Sequence, residues 1–452
     1  MGANKSVPGP GQARCSGLSA KDVVRIEDDG APAVFLEDSY EFLGDDDIPY
    51  ARYLDPAFYE REIRTVWAKT WQWACREEQI PNPGDYYVYD VGPYSVIVVR
   101  QEEGGVKAFA NSCPHRGMQF ASAGTSGSGK QFLRCPFHGM SWQLNGELRE
   151  IPCRWDFPHV VDEDFRLTAV ACDLWAGFIF INVDASAPPL ADYMEVLPAH
   201  LAHYPLEDRY VSMHTHKVLP GNWKMCMEAF MEAFHVMATH PEGAKYTADA
   251  NANYDLYGRH VSRFMHSLGI ASPLLGKSFS EREIVEAMGY DASDMPPGVS
   301  ARQFVADNMR ADFSAALGVD LQHASNLEML DSIQYFLFPN AFFFPGILLR
   351  MVYRFRPLTV DTCIHEILVL DPCPRGQRRP EPAKTVYLDE EASYQSVPGF
   401  DFGLVFDQDT DNLKRQRAGM KASLKGAQTL GNYQESRIRH FHRTLDEYLA
   451  GE

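Results

Sequence analysis

Two short segments hold the residues best suited to chemistry: Cys113-Pro114-His115-Arg116-Gly117 and Cys135-Pro136-Phe137-His138-Gly139. Two thiolates and two imidazoles at these spacings can hold a two-iron, two-sulfide cluster, with the cysteines on one iron and the histidines on the other. Imidazole ligation of that kind raises the reduction potential. The same four side chains could also make a tetrahedral zinc site. Each half ends in glycine, which lets a tight loop turn back over a cluster, and carries a proline after its cysteine, which stiffens the loop. Those details favour the redox reading.

A second set lies about a hundred residues on. A helix is expected from Trp223 to about Ala238, and Glu228, Glu232 and His235 fall on it at spacings of four and three, on one face. His240 follows His235 by five, so the two imidazoles reach one metal only if the helix breaks between them. Pro241 makes a nearby ending reasonable, because the residue before a proline is pushed out of helical geometry. Two neutral imidazoles and one carboxylate on one face of an iron leave positions open for oxygen and substrate. The carboxylate must come from elsewhere, and Asp407, Asp409 and Asp411, just ahead of an amphipathic helix, are three candidates.

Together these motifs resemble the large (α) subunit of the Rieske non-haem iron ring-hydroxylating oxygenases, over nearly all of the chain from about Tyr53. The resemblance implies that Cys113, His115, Cys135 and His138 hold a Rieske 2Fe-2S cluster. It further implies that His235 and His240 ligate a mononuclear Fe(II), and that Glu232 is the carboxylate bridging the two metal centres. Asp409 best matches the third iron ligand, with Asp411 the fallback. The sequence departs from the family pattern at Ala229, where Asn is common, and at Phe234, where Tyr is common. Glu232 stands where arene dioxygenases more often have Asp; the Glu form occurs among relatives acting on other substrates, amine oxygenases included. The gap between His115 and Cys135 is also longer than usual, by a polar insertion, Gly124-Thr125-Ser126-Gly127-Ser128-Gly129, that reads as flexible.

The elements that must position these residues divide the chain into four expected segments. Residues 1–48, rich in Gly, Pro, Ala and Asp, read as a poorly ordered arm. Residues 49–79 read as a packing helix, with Asp55 as cap, Pro56 in its first turn, and Tyr59, Ile63, Val66 and Trp67 at helical spacing. Residues 80–188 read as a small all-β domain carrying the two Cys/His loops, with a hairpin signal at Asn145-Gly146. Residues 189–452 read as an α+β catalytic domain, an antiparallel sheet covered by helices, of helix-grip type by the resemblance. In that domain strands are expected at Val211 to Leu219, Ser332 to Phe338, Ile347 to Phe355 and Ile364 to Leu370. Short helices and loops are expected over 242–330, and a final helix carries Ile438, Phe441, Leu445 and Leu449. Met227, Met231 and Phe234 from the helix, with Phe338, Phe343 and Leu349 from the strands, are the expected pocket lining. The remaining histidines, including His214, His216, His365, His440 and His442, match no constellation.

The 452 residues, 45% hydrophobic and 23% charged, have the composition of a soluble globular protein of two domains. A net charge of −19 disfavours nucleic acid or an anionic membrane as partner. With no spanning stretch and no secretory core at its start, the chain reads as cytoplasmic, although Met1 to Ser6 matches the short N-myristoylation pattern. Nine cysteines spread over a long chain read as thiols rather than a disulfide framework.

The resemblance implies an oxygenase component that takes electrons from a ferredoxin or flavin reductase and uses O2 to hydroxylate an apolar, aromatic or polycyclic substrate. It also implies a homotrimer, with or without a small β subunit. An alternative is a monooxygenase or oxidative demethylase of a quaternary or methylated amine. Two readings of another class are a Rieske electron carrier, which would leave the second domain unexplained, and a zinc-stabilised binding protein, which would be colourless.

Overall fold

Aromatic and β-branched residues dominate the segments Tyr86–Val91 and Tyr94–Arg100, and both are strands. The computed structural model describes residues 8–27, 29–122, 124–374 and 376–451, so the Met1 to Ser6 pattern lies outside the described residues. Two compact units result: one runs to Tyr59 and resumes at Met194, and the other spans Glu60–Tyr193. No helix among the described residues is long and apolar enough to cross a membrane.

The Glu60–Tyr193 unit is a seven-stranded sheet in the order Gln72–Arg76, Phe178–Asn182, Ala169–Trp175, Val106–Ala110, Tyr94–Arg100, Tyr86–Val91 and Ser126–Gly127. A second sheet of three short strands, Leu133–Arg134, Ser141–Trp142 and Leu148–Glu150, carries the second Cys/His loop. The hairpin turns at Asn145-Gly146, with Gly146 at φ 86°; a Cβ there would meet Phe109 Cε1 at 2.4 Å. Two expectations are corrected. Gln72–Arg76, taken as the tail of a packing helix, is a fully buried strand, because Trp73 and its neighbours pair with Phe178–Asn182. The polar insertion also supplies a strand, since Ser126–Gly127 pairs with Tyr86 and Tyr87 at the sheet edge.

The larger unit holds an eight-stranded sheet in the order Asn253–Tyr257, Val261–His266, Ser332–Leu337, Ala341–Phe343, Met351–Thr359, Thr362–Pro372, Arg209–Leu219 and Val386–Leu388. All its pairings are antiparallel except the last, which is parallel. The C-terminal helix Ser436–Ala450 buries Ile438, Phe441, Leu445 and Leu449 in this unit, about 1.5–3 kcal/mol for each fully buried side chain. Arg437 beside them donates to Gln334 Oε1 at 2.7 Å and to the Met231 carbonyl at 3.1 Å, so the helix is tied by polar contacts as well.

Two further expectations fail here for one physical reason. The hairpin Asn253–Tyr257/Val261–His266 lies in the stretch read as helices and loops, and residues 20–27 of the expected arm form a packed helix, Ala20–Glu27. Asp255 and Arg263 pair across the hairpin at 2.7 Å, and Lys21 from the helix reaches Asp255 at 2.7 Å, all three side chains being essentially inaccessible. Buried charges break the apolar alternation that marks a strand, and one buried lysine fastens a segment whose composition looks unstructured. The 17-residue helix Ala301–Leu317, capped by Ser300 and ended at Gly318, also falls in that stretch.

Two candidate metal centres

The two Cys/His loops are built alike. In the first, the Cys113 N–H donates to the Met118 carbonyl at 2.8 Å and the Gly117 N–H to the Cys113 carbonyl at 2.9 Å. In the second, Cys135 and Met140 are joined at 2.8 Å and Gly139 and Cys135 at 3.1 Å. Gly117 and Gly139 both have left-handed φ, 74° and 77°, so each hexapeptide folds back over its own cysteine. Asn111 pins the first loop: its side chain donates to the Ala121 carbonyl at 2.8 Å and accepts from the Phe120 N–H at 2.9 Å.

Both cysteines sit in the apolar core with Trp142, Met140 and Leu133, whereas His138 is exposed and His115 half-buried. Burial pushes the Cys113 thiol up, as does the neighbouring Cys135, while the His115 and Arg116 backbone N–H groups oppose the rise. The His115 and His138 rings lie 4.7 Å apart, and His115 Nδ1 is buried with no hydrogen-bond partner. An orphaned imidazole nitrogen beside a second imidazole and two paired thiols suits a Cys2His2-held iron-sulfur cluster.

At the second site the expected single helix is two. It runs Trp223–Glu228, breaks, and resumes for one turn at Val236–Thr239. His235 is the N-cap of that turn and His240 its C-cap. His240, at φ −126° and ψ 58°, leaves helical geometry, so the helix ends between the two histidines as expected and their ring centroids lie 5.3 Å apart; the interruption before His235 is an additional, unexpected break. Asp409, from the helix Gly403–Asp411, completes the set: its Oδ1 is 2.8 Å from His240 Nε2 and 3.4 Å from His235 Nε2. The three ligand atoms all fall within 4.8 Å of one another.

Each histidine is oriented from behind. His235 Nδ1 donates to Glu232 Oε1 at 2.5 Å, and His240 Nδ1 donates to Gln408 Oε1 at 2.7 Å, which leaves both Nε2 atoms facing Asp409. Burial pushes the His235 imidazole down, but the Glu232 and Asp409 carboxylates outweigh it and hold it well above the ordinary range. Burial raises the Asp409 carboxyl, and the two histidines more than cancel that rise. The local field therefore favours a cation, and the donor set, two imidazoles and a carboxylate with no thiolate, fits Fe(II).

The other expected residues separate. Glu228 turns away, bonded to Tyr53 at 2.8 Å and to His442 Nε2 at 2.8 Å. Asp411 lines a polar cavity of about 350 Å³ with Lys217, Glu390, Asp407 and Lys414, and does not join the histidines. Met227, Met231 and Phe343 are fully buried, Phe234 is exposed beside His235, and Leu349 is half-buried in a loop. Phe338 packs instead against the C-terminal helix, stacked on Tyr448 at 5.3 Å.

Sequence reasoning passed over Gln408, whose only signal is its place beside Asp409. It also passed over a ring cluster of Phe230, Phe355, His365 and Phe406, drawn from four separate segments, with His365 stacked on Phe355 at 4.2 Å.

The sequence matches the Rieske [2Fe-2S] domain family over residues 70–160 and the ring hydroxylating alpha subunit (catalytic domain) family over residues 206–451. It is 29% identical over 196 residues to the carnitine monooxygenase oxygenase subunit of Escherichia coli, 43% of this chain and 52% of that protein. It is 32% identical over 195 residues to the biphenyl 2,3-dioxygenase subunit alpha of Rhodococcus jostii, 41% of this chain and 42% of that protein. The chain thus spans about half the length of the curated relatives it matches.

Among solved structures, the quaternary ammonium Rieske monooxygenase CntA in complex with L-carnitine has a TM-score of 0.64 at 16% identity, covering 89% of this chain and 95% of that one. Naphthalene 1,2-dioxygenase with indole bound has a TM-score of 0.62 at 19% identity, covering 91% and 93%. These are likenesses of fold. The catalytic-domain match takes in more than half of the chain, and it makes this protein a member of the ring-hydroxylating alpha subunit family, with a Rieske [2Fe-2S] domain ahead of its catalytic domain.

Proposed function

We propose that the chain is the oxygenase component of a multicomponent Rieske system that hydroxylates an apolar organic substrate of the aromatic or polycyclic class, with O2 as the oxygen source. The observation that carries this reading is the convergence of His235, His240 and Asp409, each imidazole presenting Nε2 and each Nδ1 held from behind. When bound, the cluster supplies single electrons and the mononuclear iron supplies oxygen activation. Cys113, His115, Cys135 and His138 would hold the cluster, and His235, His240 and Asp409 the iron.

Glu232 fixes the His235 ring, and in this reading it is also the carboxylate that bridges the two metal centres. Gln408 fixes the His240 ring. A ferredoxin or flavin reductase supplies the electrons, and the working assembly is a homotrimer in which the bridge joins neighbouring subunits. Inter-subunit electron transfer is described for the quaternary ammonium Rieske monooxygenase, which supports that arrangement.

A second reading, oxidation of a quaternary or methylated amine, is favoured by Glu232 in place of Asp. It is favoured too by Phe406, on the helix that carries Asp409, and by Phe230 and Phe355 in the ring cluster with it, since aromatic faces attract such cations. A screen with a surrogate reductase separates the two, reading coupled oxygen uptake and product mass on naphthalene, biphenyl, carnitine and glycine betaine. Uptake coupled to a hydroxylated arene supports the first reading; aldehyde and demethylated or cleaved amine support the second. Purified protein with bound iron that consumes no oxygen with any class defeats both.

A further inference from the structure

In the sequence His214 and His216 match no constellation; the fold joins them to a carboxylate. The two histidines sit two residues apart on the strand Arg209–Leu219, so both project from the same side of the sheet. The register places Glu366 of the neighbouring strand opposite His216, Arg354 opposite Glu366 on the next strand, and Tyr387 opposite His216 on the other side. His214 Nε2 and His216 Nε2 are 3.1 Å apart, and each is 3.0 Å from Glu366 Oε1.

Hydrogen bonding alone fits this triangle poorly. If both imidazoles donate to Glu366 Oε1, the near-equilateral geometry brings the two donors together at about 60° and sets their hydrogens about 2 Å apart, well inside the spread of a carboxylate's lone-pair directions. If one Nε2 is unprotonated instead, its lone pair faces the carboxylate. A cation removes either conflict. Zinc bonds of about 2.0–2.1 Å to nitrogen and oxygen hold tetrahedral ligand atoms about 3.3 Å apart, close to what is seen, with the ion about 1 Å out of the plane of the three atoms.

The supporting contacts are those of a built site. Arg354 grips Glu366 Oε2 through Nε at 2.7 Å and Nη2 at 2.5 Å, which leaves Oε1 to the imidazoles. The Thr385 hydroxyl lies 2.8 Å from His214 Nδ1, orienting that ring so that Nε2 faces inward. Tyr387, largely exposed, packs its ring edge-on to His216 at 5.3 Å, so the site lies one strand in from the sheet edge. His214 and Glu366 are buried, and the His216 side chain is only 11% exposed.

We propose that His214, His216 and Glu366 form a second metal site, separate from the His235, His240 and Asp409 set, that binds a divalent transition cation of the zinc class. Three protein ligands leave a fourth position for water. The ion ties the strands Arg209–Leu219 and Thr362–Pro372 together, and the second of these carries His365 on the face opposite Glu366.

The test is Zn²⁺ uptake by full-length protein already loaded with iron, with iron and zinc both counted after gel filtration, so that displacement at the iron site is seen as iron loss. The expected result is about one zinc per chain with iron retained, and at least tenfold weaker zinc binding in His216→Gln and His214→Gln. Iron-loaded wild-type protein that retains no zinc overturns the proposal. So does a folded His216→Gln protein that binds zinc as tightly as wild type; the wild-type measurement stands even if a variant fails to fold.

Discussion

Gln408 holds a metal-ligating histidine rather than ligating metal itself, yet its removal should be felt at the iron. His240 is 7% exposed, and its Nδ1 donates to Gln408 Oε1 at 2.7 Å, the contact that directs Nε2 at Asp409. Gln408→Leu keeps the bulk and removes the acceptor. A buried imidazole N–H left without that partner costs about 1–3 kcal/mol, and loss of a ligand's supporting contact weakens metal binding about 10- to 100-fold. Since 1.4 kcal/mol is a factor of ten, the two routes agree on a rise of about one to two orders of magnitude in the iron dissociation constant. The assay is Fe(II) retention against a graded competing chelator under anaerobic conditions, with the cluster's visible absorption as an internal standard. Chelator curves that coincide within a factor of two would refute the role given to Gln408, and with it the idea that the site is tuned from behind each histidine.

Asp409→Ala should empty the mononuclear site while Asp411→Ala leaves its iron count unchanged; the reverse would move the third ligand. Asp255→Asn leaves Lys21 and Arg263 buried around a neutral group, at a cost of about 3–5 kcal/mol. A lower urea midpoint and faster proteolysis near Ala20–Glu27 should follow, and unchanged values would mean that the three charges do not hold the N-terminal helix. Burial pushes the Glu435 carboxyl up to about 7 from an ordinary 4.5. The folded state therefore holds an extra proton between those values, and stability falls as pH rises through them, by up to about 3 kcal/mol. Glu435→Gln should flatten that part of the urea-midpoint profile between pH 5 and pH 8, and a profile parallel to wild type would exclude Glu435 as its source.

Local chemistry was the most legible layer. The Cys/His loops announce themselves because ligands, prolines and glycines lie within a few residues of one another, and the apolar spacing of Ile438, Phe441, Leu445 and Leu449 marks the last helix. What stayed hidden depends on distant partners. Helical spacing from Trp223 to His240 gave no sign of the break before His235, which tertiary contacts of Met231 and Ala233 with Arg437 and Tyr254 accompany. The Asp255, Arg263 and Lys21 network disguises a hairpin as loop and a docked helix as an arm. Glu366 lies 150 residues from His216, so only strand register joins them. Phe338 lies one residue past the strand Ser332–Leu337, and its apolar character alone does not say that it packs on the C-terminal helix rather than in a pocket.

The proposed activity needs both the Cys/His loops and the His235, His240 and Asp409 set, so that an oxygen atom from O2 enters an organic substrate. A single turnover tests it most directly: iron-loaded protein, its cluster reduced and freed of reductant, is mixed with ¹⁸O-labelled dioxygen and the substrate found in the screen. Wild type is expected to give product carrying ¹⁸O as its cluster reoxidises, and Asp409→Ala to give none. Unlabelled product, or labelled product from Asp409→Ala at the wild-type yield, would contradict the account.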